Sequence, residues 1–481
     1  MKTYEELSGA QGRQIFYRAE RYKVRDLFRK TPPELLLDES PYILQDVSLN
    51  GMGATAQSLQ NDVYNPGMQV AVQLGLRGMS LFEGKGEITR TEQTQSGTKV
   101  GIRLRECVDI SQLVTKYQEI LIRADIDSFA SENINVGVSA DYRLLCSDVL
   151  HLLRTFRANL DQFDQNKLTA DAEAEILATC EDRILPTWRD LWHRGNALVE
   201  PIMEQALELR ATKRFTELVL TPEFMAGAIW NRSYRKPLGY PGDFQIMSMV
   251  YDWRREGATL YEKLSHRLGL DVAECIATRM TQMRAAIAET VLHAPAATAE
   301  NRPVRIASLG CGPAREVVDY LGVVDLPRRA DFTLIDQDHE ALTSAYERTY
   351  PSVVRQGGRT SVSCLNASFV QLLRGELFEK LPPQDLIYTV GLIDYLVPKR
   401  VKSLVNTLYG SLAVGGTLMV GNMHRTAGGN LWPMEFITDW NILYRDAHDM
   451  AAFASGLPGA SFETCYDSTG RVVLVTIKKQ A

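Results

Sequence analysis

The sequence predicts a multidomain chain: a small β-barrel, a run of α-helix, and a wound parallel α/β domain that ends in a β-hairpin. Three observations carry this. Over roughly the first 110 residues, apolar and polar positions alternate in short segments parted by glycine-bearing turns. From 111 to about 300, apolar positions recur at three and four, the helical period. After 300, an apolar run enters a glycine turn and then a helix-compatible stretch, and further strand candidates follow at α/β spacing. A chain of 481 residues has room for two to four domains with cores of their own.

In chain order, the N-terminal region (1–110) opens with a basic stretch, Arg13 to Lys30, that includes Arg18, Arg21, Lys23, Arg25 and Arg29. The alternating segments are Met68–Leu76, Leu81–Thr91 and Lys99–Leu104. Residues 111–215 then read as amphipathic helix, with Leu113, Tyr117, Ile120 and Leu121 on one stripe and Leu144, Leu145, Val149, Leu152, Leu153 and Phe156 on the next. Thr169 starts a helix whose first turn carries Asp171 and Glu173, as a helix N-terminus favours. Pro186 opens or bends the following segment, Thr187–Arg210. The reading for 111–215 is a helical connector, or a bundle through which the chain would form a homodimer.

Residues 216–300 read as a helical lid or cap. Their densest part holds Gly239-Tyr240-Pro241-Gly242-Asp243, a turn that breaks a helical pattern. Two readings stay open here. Arg235, Tyr240 and Asp243 line the mouth of a site, or Asp243 caps the helix Phe244–Tyr251.

The last region, 301–481, is organised by Val304–Val317, a strand, a Gly310-Cys311-Gly312-Pro313 turn and a helix. Glycines let backbone N–H groups approach a ligand. The third glycine of the dinucleotide fingerprint is absent, with Ala314 near its place. A second strand ends in Asp336, followed by Gln337, and an acid there accepts hydrogen bonds from both hydroxyls of a ribose. Further strands are Thr360–Leu365, Asp385–Val390 and Thr417–Gly421, and Ser461–Tyr466 with Arg471–Ile477 form a terminal hairpin around Asp467–Gly470. Asn366 and Ala367 end the third strand, either against a ligand or as an ordinary turn. After the fourth come Gly391, Asp394 and Tyr395; Gly391 admits a ligand close to backbone, and Tyr395 faces a substrate or the core. His424 follows the fifth, as a base or a structural histidine. Beyond it, Phe436, Trp440, Leu443 and Tyr444 fall at helical spacing, with Glu435 and Arg445 as polar wall candidates. An arginine fork suits a carboxylate.

Two resemblances follow from these motifs. Arg21-Tyr-Lys-Val-Arg25 and, about twenty residues later, Asp46-Val-Ser48-Leu-Asn-Gly51 resemble the RxxxR and DxSxxG motifs of the PilZ domain, the bacterial receptor for cyclic di-GMP. The resemblance implies that Arg21, Arg25, Asp46, Ser48 and Gly51 bind that nucleotide. The chemistry is apt: guanidinium forks pair with phosphate and stack on guanine, and a carboxylate accepts from its N–H edge. The glycine loop, Asp336 and the terminal hairpin resemble the Rossmann-like class I fold of methyltransferases that use S-adenosylmethionine (SAM). This implies that Gly310, Cys311, Gly312, Asp336, Gln337, Asn366, Ala367, Gly391 and Asp243 hold SAM. It implies too that His424, Asp394, Tyr240 and Arg445 serve the methyl acceptor. The pattern from LGYPGD through GLIDYL, GNMH and DWNILYR is similar to bacterial proteins described as synthases of 3-hydroxy fatty acid methyl esters.

Composition narrows the classes. A net charge of −6 argues against binding a nucleic-acid polymer. The seven cysteines are dispersed, without metal-ligand spacing, which suggests reduced thiols. No apolar run approaches a membrane span and the N-terminus lacks a signal-peptide pattern, so the expectation is a cytoplasmic protein. The functional expectation is a cyclic di-GMP-responsive, SAM-dependent methyltransferase acting on a small molecule, with the carboxylate of a 3-hydroxy fatty acid as the leading acceptor. The alternative is a second-messenger effector whose methyltransferase fold binds SAM with little turnover and acts through a protein partner. A nicotinamide oxidoreductase ranks third.

Overall fold

The computed structural model describes residues 21–28, 31–56, 64–94, 97–131, 134–163, 168–323, 325–367, 371, 376–379 and 381–480. It divides into two compact units, Met1–Asn133 and Ile134–Ala481. Arg18 and Arg29 of the basic stretch lie outside the described residues.

The first unit is a closed barrel. Its strands are β1 (Arg21–Lys23), β2 (Glu34–Leu37), β3 (Ser40–Ser48), β4 (Gly51–Ala56), β5 (Gln69–Leu76), β6 (Met79–Thr94) and β7 (Gly97–Leu104). Six of them close in the order β3-β2-β5-β6-β7-β4 and back to β3, and β1 pairs with the end of β3 beyond β2, at Asp46–Ser48. Alternation places the interior: Val70, Val72, Leu74 and Leu76 of β5 all point inward. A register shift between Leu44 and Asp46 kinks β3 just before the Asp46–Gly51 motif. The helix Ile110–Ser131 belongs to this unit, since Leu113, Tyr117 and Ile120 join the barrel core and Tyr117 meets Phe28 edge-on at 4.8 Å. The boundary expected after 110 therefore falls one helix too early.

The second unit is built on a seven-stranded sheet: β8 (Val304–Leu309), β9 (Ala330–Asp336), β10 (Thr360–Asn366), β11 (Gln384–Val390), β12 (Leu412–Met423), β13 (Ala460–Tyr466) and β14 (Val472–Lys479). The order is β10-β9-β8-β11-β12-β14-β13. The first five are parallel, and the terminal hairpin adds β14 antiparallel to β12 with β13 outermost. Its turn is held by Asp467, whose carboxylate accepts the N–H groups of Arg471 and Val472. The chain reverses direction across the sheet between β8 and β11, and such a switch point leaves a crevice at the carboxyl ends.

Strand alternation sends Ile306, Phe332, Leu334, Leu386 and Leu474 to one face and Ala307, Leu309, Ile335, Ile387 and Val473 to the other. The helices Pro398–Gly410 and Ala447–Ala454 cover the second face. The first face shares a single core with the helices from Ala140 to His293, including Val149, Trp188, Phe224, Leu268 and Ile287. The described residues of 134–300 are thus one packed layer of the α/β unit rather than a connector followed by a separate cap. Pro186 does not open a helix but lies inside a continuous one, Ala170–Val199. Only Trp432–Ile437 of the stretch near 440 is helical, as a single wide π-turn, and most of 438–446 has no regular structure.

Candidate functional site

A cavity of 380 Å³ opens at the carboxyl ends of β8, β9 and β11. On the sheet side, the turn after β8 is shaped by Gly310 and Gly312, both left-handed at φ of +67° and +51°. The N–H groups of Gly310 and Cys311 donate to the Ile335 carbonyl, which ties the turn to β9. Ala314 is also left-handed, at φ +46°, so an alanine carries a conformation that suits glycine, and its N–H donates to the Cys311 carbonyl.

Asp336, at the end of β9, accepts the Gly312 N–H on one oxygen at 2.8 Å and the Asp338 N–H on the other at 2.9 Å. Each oxygen keeps a lone pair for a ligand. Burial raises its pKa, and the two backbone donors pull it back. Gln337 also lines the cavity, and the Tyr240 hydroxyl donates to Asp338 at 3.3 Å. Tyr240 belongs to the 239–243 turn, where Gly239 and Gly242 are left-handed and a Cβ at Gly242 would sit 2.2 Å from the Trp440 ring. That close approach seats the turn against Trp440, whose indole N–H donates to the Tyr395 hydroxyl.

Past β11, Gly391 has φ of +92°. Asp394 lines the cavity, is buried, and accepts the Met423 N–H at 2.7 Å. Burial raises its pKa, against the Met423 N–H and the charges of Arg279 and Arg445. Cys311 lines the same wall, its thiol pushed up by burial and then by Asp336. Gly310, Cys311, Gly312, Asp336, Gln337, Gly391, Asp394 and Tyr240 are thus brought together.

Other expected site residues lie elsewhere. Asp243 is 1% exposed, caps the helix Phe244–Asp252 through the Gln245 and Ile246 N–H groups, and pairs with Arg232 at 2.7 Å. Of its two readings, the cap is the one the geometry adopts. Neither Asp243 nor Arg235 is a lining residue. His424 is turned away from the cavity: its Nδ1 is 2.9 Å from the Arg445 carbonyl and its ring packs on Tyr466. Arg445 is 5% exposed, and its guanidinium donates to the Ile393 and Leu396 carbonyls and to Asn422 Oδ1. It braces the loop after β11 and has no free fork for a carboxylate. Glu435 pairs with Lys213. Asn366 and Ala367 tie β10 to the end of β9 through the Asp336 and Gln337 carbonyls, and residues 368–370 beyond them lie outside the described residues.

Residues that sequence reasoning missed complete the wall. The helices supply Ile229, Trp230, Ile246, Met247, Val272 and Ile276, which make the far side apolar. Arg279 and Glu316 are buried polar members of the lining. Glu316 accepts the Tyr388 hydroxyl at 2.8 Å, and burial raises its pKa. An acid in the first helical turn after a glycine loop was a usable signal for Glu316. Arg279 had none, because a lone arginine in an amphipathic helix reads as surface.

In the first unit, β1 pairs with β3 so that Arg21 faces Ser48 and Lys23 faces Asp46. The Arg21 guanidinium pairs with Asp46 at 2.5 Å. Ser48 is buried and donates to the Gly51 carbonyl, and a Cβ at Gly51 would lie 2.7 Å from the Ile102 carbonyl oxygen. Arg21, Asp46, Ser48 and Gly51 therefore form one cluster, while Arg25 is exposed on the turn Val24–Leu27 and pairs loosely with Asp26.

The sequence matches no family model, and no curated protein matches it. Solved structures are similar to part of it. A possible exported protein from Bordetella parapertussis has 16% identity and a TM-score of 0.40, over 56% of this chain and 97% of its own. The magnesium protoporphyrin IX methyltransferase of Synechocystis PCC 6803, with bound S-adenosylhomocysteine (SAH), has 10% identity and a TM-score of 0.32, over 43% and 86%. An N-methyltransferase of Bradyrhizobium japonicum, also with SAH, has 15% identity and a TM-score of 0.28, over 42% and 87%.

Proposed function

We propose that this chain is a SAM-dependent methyltransferase acting on a small molecule, with cyclic di-GMP as the regulatory ligand of its barrel. The observation that carries the enzyme reading is Asp336. Its carboxylate is held by the Gly312 N–H inside a cavity at the switch point of a parallel sheet, with oxygens left to accept from a ribose. The residues present fit such a cofactor. Gly310 and Gly312 are left-handed, a conformation that other residues rarely adopt, and the space beside each is open. Gly391 at the end of β11 is also left-handed, and the Arg279 guanidinium lies over it.

When bound, SAM supplies an activated sulfonium methyl, so the protein's work is alignment and exclusion of water. The Gly310–Gly312 turn and Asp336 fix the nucleoside end. The 239–243 turn, seated on Trp440 and closed over Asp338 by Tyr240, shields it from solvent. Asp394, fixed by the Met423 N–H, is a polar group of the cavity wall after β11 and would face the acceptor side. The apolar wall from the helices favours an acceptor with a hydrocarbon body, which supports a 3-hydroxy fatty acid. Its carboxylate is its own nucleophile and needs no base, in keeping with His424 lying off the cavity. Calorimetric titration of SAH tests the reading, and absence of binding would sink it.

In the barrel, the Arg21, Asp46, Ser48 and Gly51 cluster supports binding of cyclic di-GMP, with Arg25 free to swing onto a phosphate. Binding of the nucleotide that is lost in Arg21→Ala is the expected result. Equal binding by both proteins would place the nucleotide elsewhere.

A further inference from the structure

Arg279 stands on the helix Leu260–His293, is 6% exposed, and lines the cavity. Its surroundings engage it only in part. The Nε has no hydrogen-bond partner among the described residues, and Nη2 reaches the Met247 sulfur only at 4.0 Å. The Asp394 and Glu316 carboxylates are near enough for its charge to oppose the rise that burial gives their pKa values, and the Tyr251 hydroxyl shares a hydrogen bond with it, yet neither carboxylate forms an ion pair with it among the described residues. A guanidinium stays protonated at any physiological pH, and burying one without a matched anion is costly. The backbone has also been cleared for it: a Cβ at Gly391 would lie 3.0 Å from Nη2. The fork thus rests on the carboxyl end of β11, where an open parallel sheet takes its ligand.

We infer that Arg279 is the carboxylate-binding group of this cavity, an inference that rests on the methyltransferase reading. Two molecules bring a carboxylate there. One is the cofactor, through its aminoacyl end; the other is an acid acceptor, which the fork would hold by one oxygen with the other left to attack. The same planar pair of N–H groups suits either.

The test is calorimetry on the full chain and on Arg279→Met, which keeps length and removes charge. The probes are SAH, 5′-methylthioadenosine (the same nucleoside without the aminoacyl carboxylate) and, with SAH saturating, decanoate. SAH weakened at least about tenfold with methylthioadenosine unchanged assigns the fork to the cofactor. SAH unchanged with decanoate weakened to that degree assigns it to the acceptor. Unchanged SAH, with decanoate binding either absent or equal in both proteins, overturns the inference while leaving the methyltransferase reading intact. Loss of methylthioadenosine binding together with a lower melting temperature makes Arg279 a brace and also overturns it. Failure of the unmodified chain to bind SAH or methylthioadenosine removes the methyltransferase reading, and this inference with it.

Discussion

Glu316 illustrates what burial does to a single residue in this site. It is buried beside the glycine turn with one hydroxyl donor, and its pKa is raised by desolvation. A carboxyl whose folded pKa lies above its unfolded value stabilises most below the unfolded value, and that contribution is lost as pH rises through the folded one. Glu316→Gln keeps an acceptor for Tyr388 and carries no charge. The variant should therefore melt above the parent chain at about pH 8, with the gap closing toward about pH 4. Thermal scans across that range check it, and a gap that widens on acidification would contradict the assignment. His424 makes the opposite case. Met423 lines the cavity, and side chains alternate along a strand, so the next residue turns away onto Tyr466. His424→Ala should leave SAH affinity within about twofold and cost about 0.5–1.5 kcal/mol of stability from the lost ring pair. The sequence made Gly310, Gly312 and Asp336 legible because their roles are local, a turn and a strand end. It misplaced His424 and Arg445 because nearness in sequence to a strand end does not tell which face a side chain takes. Arg279 was illegible because only the tertiary packing of its helix buries it.

Among the elements, the helices were legible by their periodicity, but their depth was not. The helix Ala170–Val199 shows why. Gly195 faces Trp432, and a Cβ there would fall 2.4 Å from the indole ring. The helix thus lies directly on the π-turn Trp432–Ile437, with Asn196 Oδ1 accepting the Trp432 N–H. A glycine in a helix interior normally invites replacement by alanine, which gains about 1 kcal/mol. Here Gly195→Ala should instead destabilise by about 1–3 kcal/mol, the usual cost of overpacking. Gly322, on the helix Arg315–Val323, is the matched control, since a Cβ there would meet nothing within 4 Å. Gly322→Ala should be neutral or gain up to about 1 kcal/mol. Denaturant titration of both variants decides it, and equal effects would mean that the close approach at Trp432 does not matter. Composition could not separate a surface connector from a layer of the core, since both are amphipathic. The contacts of Trp188, Trp192 and Gly195 make the difference.

For the whole molecule, the barrel motif and the cavity fall in different compact units, Met1–Asn133 and Ile134–Ala481. If cyclic di-GMP regulates the cavity, it must bind two states of the chain with different affinity. Such coupling is reciprocal. If saturating nucleotide shifts the SAH dissociation constant by about tenfold, about 1.4 kcal/mol, then saturating SAH must shift that of the nucleotide by the same factor. Both titrations use the full chain. Arg21→Ala should abolish the shift while leaving the basal SAH affinity unchanged, because Arg21 engages Asp46 within the barrel. Equal SAH affinity with and without nucleotide, each ligand still binding, would leave two working sites uncoupled at the cofactor step, and control would then act on acceptor binding or turnover. A shift that persists in Arg21→Ala would mean that the nucleotide reaches the cavity itself, which the aminoacyl-free probe methylthioadenosine would reveal by competing with it.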